Sequence, residues 1–313
     1  MNLNGVEVQD TFAEAFGMRG TRLIITGENL KWAYHGATAL TGFATSVIAC
    51  GVEAGIERKL GPAETPDGRP GASVLMFATS SKELGVQVER RVGQTILTCP
   101  TASCFGGLSE GDPIALGKNL RYFGDGWQAS KVVGGRRFWR VPVMDGEFVC
   151  EETTRMVRAV GGGNFLILTT DSAAALAAAE AAIEAMRKVP NVIMPFPGGV
   201  VRSGSKVGSR YKTLPASTND AFCPTLRGVV NTELPPEAGC CLEIVIDGLT
   251  ADDIRVAMRV GMQAVIARGR AAGVVALSAG NYGGKLGQFH FHLRAILQEG
   301  DTPDAGAPTG GAA

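Results

Sequence analysis

The apolar pattern predicts an α+β chain of two related halves, each a mostly antiparallel sheet interrupted by long loops. Two observations carry this. A short apolar strand, a polar or capping residue and a helix of about four turns recur four times, two copies in each half. A short β segment then follows several of the helices. Strand, helix, strand, twice per half, is the order of a ferredoxin-like sandwich, with helices on one face of its sheet. A doubly wound parallel sheet fits the same order nearly as well.

In chain order the units are RLIIT with a helix over 28–41, SVLMFA with 81–97, NFLILT with 172–188, and LEIVID with 251–268. Their starts are marked. Ser80 precedes Glu83 and Thr250 precedes Asp253, the spacing that lets a hydroxyl and a carboxylate satisfy free N–H groups at a helix start. Asp171 opens the Ala-rich helix in the same way. TSVIAC (45–50), NVIMPF (191–196) and VVALS (274–278) supply the following β segments. In QFHFHLRA the alternation turns Phe289, Phe291 and Leu293 inward and His290, His292 and Arg294 outward. The stretches 98–160 and 197–239 read as long interruptions, and loops on a rigid scaffold are where function concentrates.

Composition narrows the function classes. The 313 residues suffice for two cores, and 30 basic against 30 acidic residues offer no broad attraction for nucleic acid. Glycine, at 43, is about twice the usual share of roughly 7%, which points to tight loops with closely approached backbone. The start MNLNGVEVQD lacks a basic segment followed by an apolar run, and no stretch nears the roughly 18 apolar residues that span a bilayer. A cytoplasmic protein without membrane contact is expected, and seven cysteines without framework spacing suit a reducing compartment. After Gln298 the tail EGDTPDAGAPTGGAA has little to bury and is expected to be disordered.

Several chemistries lack their parts. SAGNYGGKLGQ at 278–288 resembles a phosphate loop, but the spacing from Gly280 to Gly284 is one residue short and Leu286 stands where Ser or Thr is needed. GGGNF precedes its strand, whereas a dinucleotide turn follows one. A covalent route through serine or cysteine lacks its partners, with His35 inside a predicted helix. With three histidines and no close CxxC pair, a metal centre finds little support.

In CCLEIVID at 240–247, alternation places Leu242, Ile244 and Ile246 on one face and Glu243, Val245 and Asp247 on the other. Glu243 is then either a carboxylate on a solvated face or one lining an apolar cleft, where desolvation keeps it protonated near neutral pH. The residues alone leave both open.

Ten words taken together resemble one family: GVEVQDTFAEAF (5–16), TPDGRPG (65–71), PTAS (100–103), FGDGW (123–127), GGNF (162–165), PFPGG (195–199), SGSKVGS (203–209), PASTNDAFCPT (215–225), LEIVIDGL (242–249) and SAGNYGGKLGQ. They run in the order found in formylmethanofuran:tetrahydromethanopterin formyltransferases, to about Gln298. The resemblance favours two ferredoxin-like lobes, at 1–150 and 151–298, ahead of the tail at 299–313. It implies formyl exchange between methanofuran and tetrahydromethanopterin, both acting as substrates, with no tightly bound cofactor and with Glu243 as the catalytic residue. It also implies a homo-oligomer, a tetramer in the family. The balanced charge and the Ala/Gly tail depart from the archaeal pattern and favour the bacterial setting, where members work towards formylmethanofuran in formaldehyde oxidation beside hydrolase subunits.

The same words nominate binding residues. Ser217, Thr218, Asn219 and Asp220 in PASTND suit a pterin edge or an amide, or else a turn in which they bond their own backbone. Lys206 and Lys285 suit acidic groups on the carriers, or are surface lysines. Ser205 and Asn281 accompany them, and Asp10 and Glu14 fall in cleft or subunit-contact material. Two other functions stay open: a structural or carrier-binding subunit without turnover, and a cysteine-dependent acyltransferase using Cys104 or Cys223.

Overall fold

Two long strands, Phe12–Thr26 and Thr153–Thr169, form the spine of the fold. The structure is a computed structural model describing residues 1–299, so the tail beyond Glu299 lies outside the described residues. The spine strands pair antiparallel from Met156 against Thr21 to Gly161 against Phe16. Each then serves a different half. Thr26 and the residues before it pair with Gly71–Ala78 and Ser103–Gly106. Leu166 to Thr169 pair on both edges, with Cys240–Gly248 and with Val274–Ser278. A segment with strands on both sides and helices on its face is buried throughout, which is why NFLILT reads as an unbroken apolar run.

The result is a mixed α/β fold around one large, mostly antiparallel sheet. Among the strands of the described residues only Gly146–Glu151 with Ser103–Gly106, and Val274–Ser278 with Val6–Val8, pair parallel. The doubly wound alternative is thereby set aside. Helices Leu30–Thr41 and Ser81–Arg91 cover a core of Leu23, Leu40, Val74, Met76, Leu84 and Val88. Helices Ser172–Met186 and Ala251–Arg268 cover a second, with Phe165, Ile167, Ala179, Ile244, Met258 and Val265.

The predicted starts hold, and Thr250 with Asp253 closes the reciprocal box. Ser80 accepts from Glu83 N–H, while the Glu83 carboxylate turns away to Gln87. Two predicted strands differ. TSVIAC holds the short helix Val47–Cys50, because Ser46 caps Ile48 N–H and Gly51, at φ +72°, ends the turn; the strand begins at Glu53. NVIMPF is strand only at Val192–Ile193, since Pro195 and Pro197 cannot donate to a ladder. The helix over 81–97 is α-helical through Arg91 and closes with a π turn, Val92–Ile96. The stretch 98–160 is largely strand, including the hairpin Arg136–Val143 and Gly146–Glu151. No helix of the described residues is long and apolar enough to cross a membrane.

Candidate active site

The Cys240–Gly248 strand sets the site. Its Leu242, Ile244 and Ile246 face the helical core, so Glu243 and Val245 turn into a cavity of about 780 Å³ on the opposite side. Backbone bonds between Glu243 and Val201, at 2.8 and 2.9 Å, bring the 201–207 loop over this face. Phe16, Met18, Val47, Phe196 and Leu286 supply apolar wall. Among the described residues no protein donor reaches the Glu243 carboxyl, and burial pushes its pKa up to about 7. It is thus an acid largely protonated up to neutrality.

The wall facing Glu243 is segment 279–287. Gly283 and Gly284, with φ of +73° and +71°, turn the backbone tightly, so that Gly283 N–H closes on Asn281 Oδ1 while Gly284 N–H joins inward-pointing neighbours in an anion-binding cradle. Its anion is the protein's own. Glu14 accepts from Tyr282 and Gly284 N–H through one oxygen, at 2.7 and 2.8 Å, and from Leu286 and Gly287 through the other, at 2.6 and 2.5 Å. Burial pushes the Glu14 pKa up, but the four N–H bonds outweigh it and hold the group at about 2.

Asn164 pins the start of the same wall. Its Oδ1 accepts from Gly280 N–H at 2.7 Å and its Nδ2 donates to Gly280 O at 3.1 Å. A Cβ on Gly280 would lie 3.6 Å from Glu243 Oε1, so glycine here keeps the space beside the acid open. Tyr282 also lines the cavity. Burial raises its hydroxyl pKa, a hydrogen bond with Ser205 opposes this, and the charges of Glu243 and Glu14 add to it.

Of the nominated residues, Glu243, Glu14 and Ser205 line the cavity together. The others lie outside its lining. Lys206 pairs with Asp220 at 2.5 Å. Ser217 Oγ donates to Gly208 O and Thr218 Oγ1 to Ser203 O, so these hydroxyls bond the backbone of the preceding 203–208 loop. Asn219 is half-buried near Gly204. Asn281 Nδ2 donates to Thr11 and Phe12 across the segment, and Lys285 is exposed. Asp10 is 79% exposed beside Arg294 at 3.2 Å. Cys104 is fully buried, with its thiol pushed far up by burial, and is unavailable as a nucleophile; the Cys223 thiol donates to Asn219 O. Among the described residues no three His, Cys, Asp or Glu side chains converge on a metal position.

Sequence reasoning misses Asn164, Tyr282 and Glu53 as cavity residues and Gly280 as the neighbour of the Glu243 carboxyl. Asn164, Gly280 and Tyr282 sit within the family words GGNF and SAGNYGGKLGQ. Nothing in the local pattern marks Glu53, which lines the cavity from the strand Glu53–Leu60.

Comparison with known proteins identifies the family. Residues 1–143 match the formylmethanofuran-tetrahydromethanopterin formyltransferase family and residues 146–296 match the family's proximal lobe. The chain belongs to this formyltransferase family. It is 67% identical to the formylmethanofuran–tetrahydromethanopterin formyltransferase of Methylococcus capsulatus, covering 95% of this chain and all of that relative. It is 53% identical to a subunit of the formyltransferase/hydrolase complex of Methylorubrum extorquens, over 95% of this chain and 97% of the relative. The structure of that complex with methylofuran matches with a TM-score of 0.93, covering 95% of this chain and 98% of the other. The formyltransferase from Methanosarcina barkeri matches with a TM-score of 0.89 at 44% identity, over 95% and 100% of the two chains.

Proposed function

We propose that the chain transfers a formyl group between formylmethanofuran and tetrahydromethanopterin by direct attack within a ternary complex, with Glu243 as its acid. The observation that carries this is a carboxyl group without a protein partner, facing an apolar cavity and holding its proton to about pH 7. The attacking amine nitrogen adds to the formyl carbon, and the oxygen gains charge as its π bond breaks. Protonated Glu243 donates to that oxygen and takes the proton back on collapse, when the old C–N bond breaks. The proton released by the attacking nitrogen ends on the departing amine. Holding both carriers in one cavity makes the attack effectively intramolecular.

In this reading both carriers are substrates and no tightly bound cofactor takes part. The two halves are ferredoxin-like lobes, divided near residue 150, and the enzyme is a cytoplasmic homo-oligomer. The identity to the Methylorubrum subunit supports a bacterial enzyme working towards formylmethanofuran with hydrolase subunits bound. Burial of Cys104 weighs against the cysteine-dependent alternative, and the accessible Glu243 weighs against a subunit without turnover. The test is to mix purified protein with formyl-tetrahydromethanopterin and methanofuran and follow pterin absorbance. Formyl exchange is expected; folded protein that exchanges in neither direction would overturn the reading.

A further inference from the structure

The strand face that presents Glu243 also carries Asp247, four residues on and about 13 Å away along the strand. Asp247 is fully buried. Its Oδ1 accepts from Gly162 N–H at 3.1 Å, while Oδ2 meets no N–H or O–H donor. Glu53 stands against it. Glu53 is 8% exposed, lines the cavity and accepts from Val47 N–H at 3.0 Å through Oε1.

No cation relieves this pair. The cavity lining carries Glu14, Glu53 and Glu243 and, among the described residues, no Lys, Arg or His. The spine bulge at Gly161 and Gly162 contributes backbone alone, and a Cβ on Gly161 would come within 2.8 Å of Asp247 Oδ1. The helix Val47–Cys50 contributes only the Val47 N–H to the pair. Burial, and then the Glu53 charge, pushes the Asp247 pKa well up, and burial raises that of Glu53. Two carboxylates in contact cannot both ionise, and one proton between them gives Asp247 Oδ2 the partner it lacks. An acid pair buried at such cost beside a cavity marks a working site.

We infer that Glu53, held through a proton shared with Asp247, recognises an N–H-rich heterocycle at the end of the cavity away from Glu243, namely the amino-oxopyrimidine ring of the pterin carrier. This rests on the formyl-transfer reading. That ring presents a ring N–H and an exocyclic NH₂ side by side, two parallel donors that a carboxylate meets in a fork, as it meets a guanidinium. Each Glu53 oxygen has two lone-pair sites, so the bond from Val47 leaves capacity for both donors. A separation of about 13 Å along the strand accommodates a fused two-ring system with its reacting nitrogen towards Glu243. An acidic lining without cations also leaves the anionic ends of the carriers outside.

The test uses the full chain and two readouts, equilibrium titration of tetrahydromethanopterin and KM for each carrier. Glu53→Gln turns one acceptor oxygen into a donor. Its Kd and KM for tetrahydromethanopterin should rise on the order of ten- to a hundredfold. KM for formylmethanofuran should change by less than about threefold. Glu53→Asp, with the charge kept and retracted by one methylene, should fall between it and wild type. Asp247→Asn still donates to Glu53 but cannot share a proton, so the pH dependence of pterin affinity expected in wild type, as the pair gains or loses its proton, should disappear. Unchanged pterin affinity in folded Glu53→Gln, or a loss confined to formylmethanofuran, overturns the assignment. If Glu53→Gln fails to fold, an unchanged pH dependence in Asp247→Asn does so instead. Wild-type protein that exchanges no formyl group would overturn the functional reading, which separates the two failures.

Discussion

Glu14 and Gly287 meet at 2.5 Å, carboxylate oxygen to backbone N–H, and three further N–H groups complete the same nest. The segment that resembles a phosphate loop thus binds an anion from its own chain. The consequence is a rigid wall opposite Glu243.

Glu14→Gln should therefore destabilise the protein and disorder that wall. The amide NH₂ would face two N–H donors, at a cost of about 2–5 kcal/mol. A carboxylate held at about 2 contributes stability above its unfolded value of 4.5 and loses it as pH falls towards 2. Urea midpoints measured from pH 7 down to pH 3 should show the gap between wild type and variant shrinking. A constant gap would contradict the role.

A second buried acid ties the two halves. Glu57 receives Arg22 through two bonds, at 2.7 and 2.8 Å, together with Ser73 Oγ and Asn191 N–H. Asn191 in turn reaches Asp253 at the start of the Ala251–Arg268 helix. Glu57→Ala leaves Arg22 partly buried without its carboxylate, and should lower unfolding free energy by about 3–5 kcal/mol. A loss below about 1 kcal/mol would show that the ion pair is dispensable.

Gly280→Ala probes the space beside the acid. Its φ is not in the left-handed region, and the nearest atoms to a Cβ are Asn164 Oδ1 at 3.3 Å and Glu243 Oε1 at 3.6 Å. Stability should change by about 1 kcal/mol or less, while kcat/KM falls at least about tenfold because the methyl occupies the reacting space. Wild-type kcat/KM in this variant would place the reacting carbon elsewhere.

Glu243 should cost stability at neutral pH. A folded pKa of about 7 lies above the unfolded 4.5, so its favourable contribution is complete below pH 4.5 and is lost as pH rises through 7. Glu243→Gln should then be more stable than wild type at pH 8, by about 1–3 kcal/mol, with no advantage at pH 4. Thermal unfolding at the two pH values checks the sign.

Much of this is legible in the sequence because it is local. Caps at Ser80, Asp171 and Thr250 act over three residues, and the alternation in CCLEIVID places Glu243 and Asp247 on one face without knowledge of the partner strands. What stays hidden is long-range. The bonds between Glu14 and segment 282–287, and the approach of Glu53 to Asp247, join residues that no local pattern pairs. TSVIAC reads as a strand because Thr, Val and Ile favour one, whereas the Ser46 cap and Gly51 favour the single helical turn it forms. PASTND is legible as polar, but its contacts run to the backbone of the 203–208 loop and to Lys206.

The most direct test is kcat of wild type and Glu243→Gln across pH 5.5–9 at saturating carriers. With protonated Glu243 as the donor to the oxyanion, wild-type kcat should fall as pH rises through about 7. The glutamine variant should be slower by roughly a hundred- to a thousandfold and flat over the same range. Near-wild-type turnover in Glu243→Gln, or a wild-type profile that rises through pH 7, would contradict the acid role.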